Sequence, residues 1–292
     1  MKKKMLLPVL VLLCVSLVGC STSNYVNYAS SKTNISENND SNSKKEATSD
    51  STISTSNSNS NQQATSNMNH SNSKQQINNE KTYSIAEKQY NYNQNNKTMA
   101  LKYPQINGMS NASNQNKINT LIKEQALKYV QVYLDNKENF NINLGYEICL
   151  NKYDLLSIKY SGIFSSKDVA YPTNLLFSTN VDLKNNKVLN SGDIVNLDNN
   201  FLITLKSKGI IANNSNKDLY NAQKDQLQSY STNNFNNSII YIYLYENSIS
   251  ISIDAPHAIG DYIDLKLQYQ DINKSINNTN STLSNFYKHV IS

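Results

Sequence analysis

Few residues in this chain have the chemistry to act on another molecule, and those few crowd into one short stretch. His257 lies three residues after Asp254 and four before Asp261. An imidazole with carboxylates at those spacings can form a general base held by an orienting acid. The plainer reading is a turn histidine making a local hydrogen bond. Asp254, Asp261 and Asp264 could together hold a cation, but no Asp-x-Asp-x-Asp-Gly loop is present, and solvated carboxylates are the simpler account. We therefore take His257, Asp254 and Asp261 as candidate ligand-facing residues and assign no catalytic residue. Neither His257 nor His289 has a His or Cys at metal-ligand spacing, and His70 stands alone in the polar stretch, so neither a metal nor a cofactor is expected. Gly-rich phosphate loops and nucleophile elbows are missing. Tyr241, Tyr243 and Tyr245 could stack on sugar rings, yet tyrosine is also a favoured strand residue with one apolar face.

The elements that must position these residues are legible from their patterning. Ile239 to Tyr245 reads as a strand, Glu246-Asn247 as a turn, and Ser248 to Asp254 as a second strand with Ile249, Ile251 and Ile253 on one face. Ala255 to Gly260 turns the chain into a third strand, Ile263 to Tyr269. The opposite face of this hairpin is Ser, Lys and Gln and is expected to be wet. Upstream, Thr98 to Tyr103 alternates as a strand that Pro104 should end. Asn107-Gly108 is a turn signal. Residues 110–113 offer N-caps for a helix from about Asn114 to Asp135, whose apolar stripe is Ile118, Leu121, Ile122, Ala126, Tyr129, Val132 and Tyr133. Gly145 to Leu150 and Tyr153 to Tyr160 read as strands joined by a tight turn at Asn151-Lys152. Gly162 to Asp168 reads as a loop and Asn174 to Leu183 as a strand that returns through an Asn-based turn to Leu189. Phe201, Leu202 and Leu205 share a helical face. Asn213 to Asn237 is either a weak helix around Leu219 to Leu227 or a loop, and a short helix is expected near Leu283 to Val290. The result is an α+β fold with a mainly antiparallel sheet, one long helix and one or two short ones packed on one face.

The N-terminus says where this domain resides. Lys2, Lys3 and Lys4 precede an apolar run from Leu6 to Val18, too short to span a bilayer comfortably and of the length of a secretory core. It ends in Leu17-Val18-Gly19-Cys20, which resembles the lipobox of bacterial lipoproteins. That resemblance implies a signal peptide over residues 1–19, a lipid on the Cys20 sulfur, and a mature protein on the outer face of the cell membrane. Residues 20–80 are Ser, Asn, Thr, Gln and Lys with almost no apolar side chains, the composition of a disordered stalk. As a coil, about 60 such residues reach roughly 40–47 Å.

All 27 basic residues are lysine. The formal charge of +5 drops by Lys2, Lys3 and Lys4 to +2 once the signal peptide leaves, and it is spread evenly. That gives no footprint for nucleic acid. With Cys14 removed and Cys20 acylated, only Cys149 remains, so no intramolecular disulfide is expected, and its apolar-alternating context reads as a small buried hydrophobe.

Two stretches of the remaining domain, residues 81–292, carry a further resemblance. Tyr103-Pro104-Gln105-Ile106-Asn107-Gly108, followed by Lys117-Ile118-Asn119, is similar to the small extracytoplasmic domain that precedes the catalytic part of PdaC-type peptidoglycan deacetylases and occurs in RsiV-type anti-sigma factors. The hairpin at 240–254 with Ala255-Pro256-His257-Ala258-Ile259-Gly260 resembles the C-terminal module that accompanies it, and Asp182-Leu183-Lys184-Asn185-Asn186-Lys187 fits a hairpin of the same family. The match runs from about 97 to 270, with the parts dividing near 190. Where relatives carry a Gly-Gly-Ala-His loop, this chain reads Gly162-Ile163-Phe164-Ser165. No deacetylase domain or metal-binding His pair follows up to Ser292. The resemblance thus implies a non-catalytic binding or sensing module, with peptidoglycan or a lysozyme-like protein as ligand. The competing expectation is a wall-active hydrolase or deacetylase accessory that uses His257 and a nearby Asp.

Overall fold

The computed structural model describes residues 83–134, 139–167, 170–212 and 216–291. Residues 1–80, read above as a signal peptide and a stalk with Cys20 between them, lie outside the described residues. The fold is α+β and mainly antiparallel, as the patterning requires, but its strands divide into two sheets with separate cores.

The first sheet has six strands in sequential order: β1 (Ser84–Gln94), β2 (Lys97–Asn107), β3 (Phe140–Lys152), β4 (Leu155–Ser166), β5 (Thr173–Asp182) and β6 (Lys187–Leu189). Only β2 and β3 are parallel. A parallel pair needs a crossover, and the helix α1 (Ala112–Leu134) supplies it. The Asn111 side chain accepts the Asn114 N–H at 3.0 Å and caps that helix. Ile118, Ile122, Ala126 and Val130 then bury one stripe against Leu101, Ile142, Leu144, Ile158 and Tyr160 of the sheet. Val130 takes the place expected of Val132, which is 59% exposed; a straight helix of 3.6 residues per turn carries position 132 off the stripe.

Four local expectations are corrected. β1 precedes everything read as a strand, because its alternation is between tyrosine and asparagine rather than apolar and charged residues. It closes on β2 through Asn95-Asn96, both at positive φ, the backbone of a two-residue hairpin turn. Pro104 does not end β2. Parallel pairing to β3 covers only Thr98 to Leu101, so past that point β1 is the only strand β2 pairs with and a proline is tolerated. The β3–β4 turn is Tyr153-Asp154, both at positive φ, and not Asn151-Lys152. A bulge at Cys149 shifts the register there, which buries Leu150, Leu155 and Leu156. Finally, β4 runs on through Gly162 to Ser166 where a loop was expected, flanked by β3 on one side and β5 on the other.

The second sheet has four antiparallel strands in the order β7 (Ile210–Ile211), β10 (Tyr262–Gln268), β9 (Ser248–Asp254) and β8 (Ile240–Leu244). Ile249, Ile251, Ile253, Ile263, Leu265 and Leu267 form its apolar face. That face packs on the helices α2 (Ser191–Ile194), α3 (Asn199–Lys208), α4 (Lys217–Ser229), α5 (Thr232–Asn237) and α6 (Ser281–Val290) through Phe201, Leu205, Leu227, Phe235 and Phe286. The open alternative for residues 213–237 resolves as helix at α4 and α5. Residues past 271 are polar in bulk but anchor here through Ile272, Ile276, Leu283 and Tyr287.

The edge strand β8 stands on the face of the first sheet opposite α1. Its backbone is met by side chains rather than by another strand. Ser157 Oγ accepts the Leu244 N–H at 2.8 Å, and Ser178 Oγ and Asn180 Nδ2 both donate to the Ile242 carbonyl at 2.7 Å. An edge that would invite pairing is thereby closed. The expected wet face of this sheet is wet only in part. Lys266 and Gln268 are exposed, but Ser248, Ser250 and Ser252 are buried. They sit between taller rows, with Tyr241 and Tyr243 on β8 and Asp264 and Lys266 on β10.

Candidate functional site

The turn after β9 is built by its own backbone. Pro256 opens a single 3-10 turn over His257–Ile259, and Gly260 follows at φ 99°, a conformation that favours glycine. Asp261 adopts φ 72°, strained for a residue with a Cβ. Its side chain holds the strain: Oδ1 lies 2.7 Å from His257 Nδ1, and Oδ2 accepts the backbone N–H and the side-chain amide of Asn174 at 2.7 and 3.1 Å. Gln223 of α4 donates to the Ile259 carbonyl at 2.8 Å from the other side.

The structure thus joins His257 to Asp261, as their spacing allows, and separates both from Asp254. The Asp254 carboxylate accepts the Ile239 N–H at 2.7 Å and its carbonyl takes the Tyr230 hydroxyl at 3.0 Å. Burial raises the Asp254 carboxyl above its ordinary value, with the Ile239 N–H opposing. Asp264 is elsewhere again, paired with Lys159 at 3.2 Å and with the Tyr243 hydroxyl. Among the described residues no three His, Cys, Asp or Glu gather to hold a metal.

His257–Asp261 has the form of a base with its orienter, but Asp261 is also bonded to Asn174 of β5. The pair therefore ties the turn of the second sheet to the first. His289 packs at a tilt against Tyr153, with ring centroids 4.9 Å apart, and its Nδ1 lies 2.7 Å from the Asn285 carbonyl.

The tyrosine row on β8 is mainly packing. Tyr243 is buried and carries Lys159 over its ring at 4.9 Å. Burial, then the Asp264 charge, push its hydroxyl far above the ordinary phenol range. Tyr241 packs edge-on against Tyr129 of α1 at 5.4 Å. Tyr245 is partly exposed and donates to Glu147 at 3.2 Å, with Lys266 over its ring at 5.9 Å. Cys149, on its bulge, is half-buried, and burial pushes its thiol up to about 12, so it is not a ready nucleophile.

Lys159, Glu147 and Asn174 escaped the sequence reading. The signal available for Lys159 was a lysine between Ile158 and Tyr160 in mid-strand, a position that calls for an acidic partner. That partner lies 105 residues away and no local pattern names it. A shallow groove along the start of α1, lined by Asn116, Lys117, Thr120 and Asn186, contains none of these residues.

The fold and site together define an α+β domain of two joined sheets. No family model matches the sequence, and no curated protein matches it. Among solved structures it is similar to a member of the DUF3298 family from Bacteroides fragilis NCTC 9343, at 13% identity and a TM-score of 0.44, covering 70% of this chain and 97% of that one. It is also similar to a DUF3298 family protein from Pseudomonas aeruginosa PAO1, at 13% identity and a TM-score of 0.42, covering 69% and 95%.

Proposed function

We propose that this protein is a lipid-anchored lipoprotein of the bacterial cell surface whose folded domain is a non-catalytic binding or sensing module facing the cell wall. The carrying observation is Leu17-Val18-Gly19-Cys20 at the end of a lysine-flanked apolar run, followed by a stalk of polar composition. Two or three acyl chains on one residue make a durable anchor where a single chain does not. The folded domain fits a binding role: His257 and Asp261 are used as a strut, Asp254 is bonded to backbone, and Asp264 to lysine and tyrosine. In the finer reading it is the paired extracytoplasmic domain of PdaC-type and RsiV-type proteins, with peptidoglycan or a lysozyme-like protein as partner. Growth with a labelled palmitate analogue tests the anchor. The wild-type protein takes up label, and Cys20→Ser takes up none. An unlabelled wild-type protein in an expression host that labels its other lipoproteins defeats the proposal.

A further inference from the structure

The first sheet uses only part of its second face. α1 covers the face that carries Leu101, Ile142 and Ile158. On the opposite face the second sheet stands on β4 and β5 through Ser157, Ser178 and Asn180. Towards β1 no element among the described residues covers that same face. The strand registers align Asn91, Ala100, Asn143 and Ile163 in one row across β1 to β4, and Gly145 with Ser161 in the next. Asn91, Asn143, Ser161 and Ile163 are exposed, and a Cβ added at Gly145 would meet nothing within 4 Å. Tyr245 borders this floor where the second sheet rises, through its bond to Glu147 of β3.

The charges on and beside the floor are matched among themselves. Lys102 pairs with Glu87 at 3.0 Å and Lys159 with Asp264 at 3.2 Å, while beside them Glu147 accepts the Tyr245 hydroxyl and Lys266 lies over the Tyr245 ring, one charge of each sign. What the floor offers is carboxamides and a hydroxyl, interrupted by Ala100 and Ile163. The Asn143 carboxamide can both donate and accept, while the Asn91 oxygen accepts the Gln89 side-chain amide at 2.7 Å and its own N–H groups can donate outward. Asn91 and Asn143 are two strand spacings apart, about 10 Å, comparable with two sugar rings. Tyr245 adds an aromatic surface with a polar tip.

We propose that this bare face of β1 to β4 binds an uncharged glycan chain, the polysaccharide backbone of the cell wall. The carboxamides exchange paired hydrogen bonds with its hydroxyl and acetamido groups, and Ala100 and Ile163 meet the C–H faces of its rings. Charge complementarity selects this occupant: a floor whose charges balance in sign offers an anionic polymer no gain. The inference rests on the wall-facing reading above.

The test uses the full-length protein extracted in detergent. It measures co-sedimentation with wall glycan stripped of anionic polymers, and titration with a soluble chitin oligosaccharide as uncharged probe. Gly145→Arg raises a side chain over the floor without a clash inside the fold, and Asn143→Ala removes one carboxamide. Each is expected to weaken binding by about ten-fold or more, near 1.4 kcal/mol. Lys123→Ala, exposed on α1, leaves it unchanged, and all variants are checked for an unaltered urea midpoint. The proposal is overturned if the wild-type protein ignores both glycans, binds only anionic polymer or only a lysozyme-like protein, or binds glycan equally well in both floor variants. Palmitate labelling at Cys20 stays intact in all those cases if the wall-facing anchor is correct, so the two failures are distinguishable.

Discussion

Ser157→Ala should be the most informative single change in the domain. Ser157 is fully buried on β4, and its hydroxyl works twice. It accepts the Leu244 N–H of β8 at 2.8 Å and donates to Asn180 Oδ1 at 2.7 Å. Asn180 in turn donates to the Ile242 carbonyl at 2.7 Å. Replacing the hydroxyl by hydrogen opens almost no cavity but orphans one buried donor and one buried acceptor. Each orphan costs about 1–3 kcal/mol, and since Asn180 keeps its bond to Ile242 we expect a total of about 2–4 kcal/mol. With a urea slope of about 2–3 kcal/mol/M, the midpoint should fall by about 1 M. Ser161→Ala lies four residues along the same strand and is exposed, so it should change stability by less than about 0.5 kcal/mol.

The same experiment reads the coupling between the two cores. In the wild type we expect a single transition that reports them unfolding together, and loss of the clasp should broaden it or split it in two. Ser157→Ala and Asn180→Ala share a bond, so their combined cost should fall short of the sum. If Ser157→Ala shifts the midpoint no more than Ser161→Ala does, the clasp is not what joins the sheets.

Two further predictions concern the remaining joints. The Asp182 carboxylate is buried, with no cation paired to it among the described residues; burial raises its carboxyl, but hydrogen bonds from Asn185 and Asn280 outweigh that and set it below the ordinary 3.8. The unfolded chain therefore binds its proton more readily, and the stability from this group is present above about pH 4 and lost as pH falls through the lowered folded value. Thermal melts from pH 6 to pH 2 should show a smaller acid loss in Asp182→Asn than in wild type, and parallel curves would remove Asp182 as the cause. Gly162→Ala would place a Cβ 1.9 Å from the Asn143 carbonyl oxygen, so β3 and β4 must part; we expect a loss of about 1–3 kcal/mol by urea titration, whereas Gly145→Ala on the neighbouring strand enters open space and should be nearly neutral.

What the sequence shows and what it hides divide along one physical line. Periodicity reports whether a face is apolar, so β9, β10 and the stripe of α1 are legible from their isoleucines and leucines alone. It does not report what covers a polar face. Ser248, Ser250 and Ser252 have the pattern of a solvated strand and are buried, because taller neighbours stand on either side. β1 was hidden for the converse reason: with tyrosine and asparagine alternating, neither row marks itself as the inward one. The site followed the same rule. His257 and Asp261 are close in sequence and their contact could be anticipated, but Asn174 lies 87 residues from Asp261, and it is that bond which turns a base-like pair into a joint between sheets. Ser178 and Asn180 at the clasp and Asn91 and Asn143 on the bare floor are the same kinds of residue on strands of one sheet. Only the standing edge of β8 distinguishes them: it satisfies the first pair with backbone, while the second pair stays at the surface, Asn91 taking a bond from its neighbour Gln89 and Asn143 facing outward.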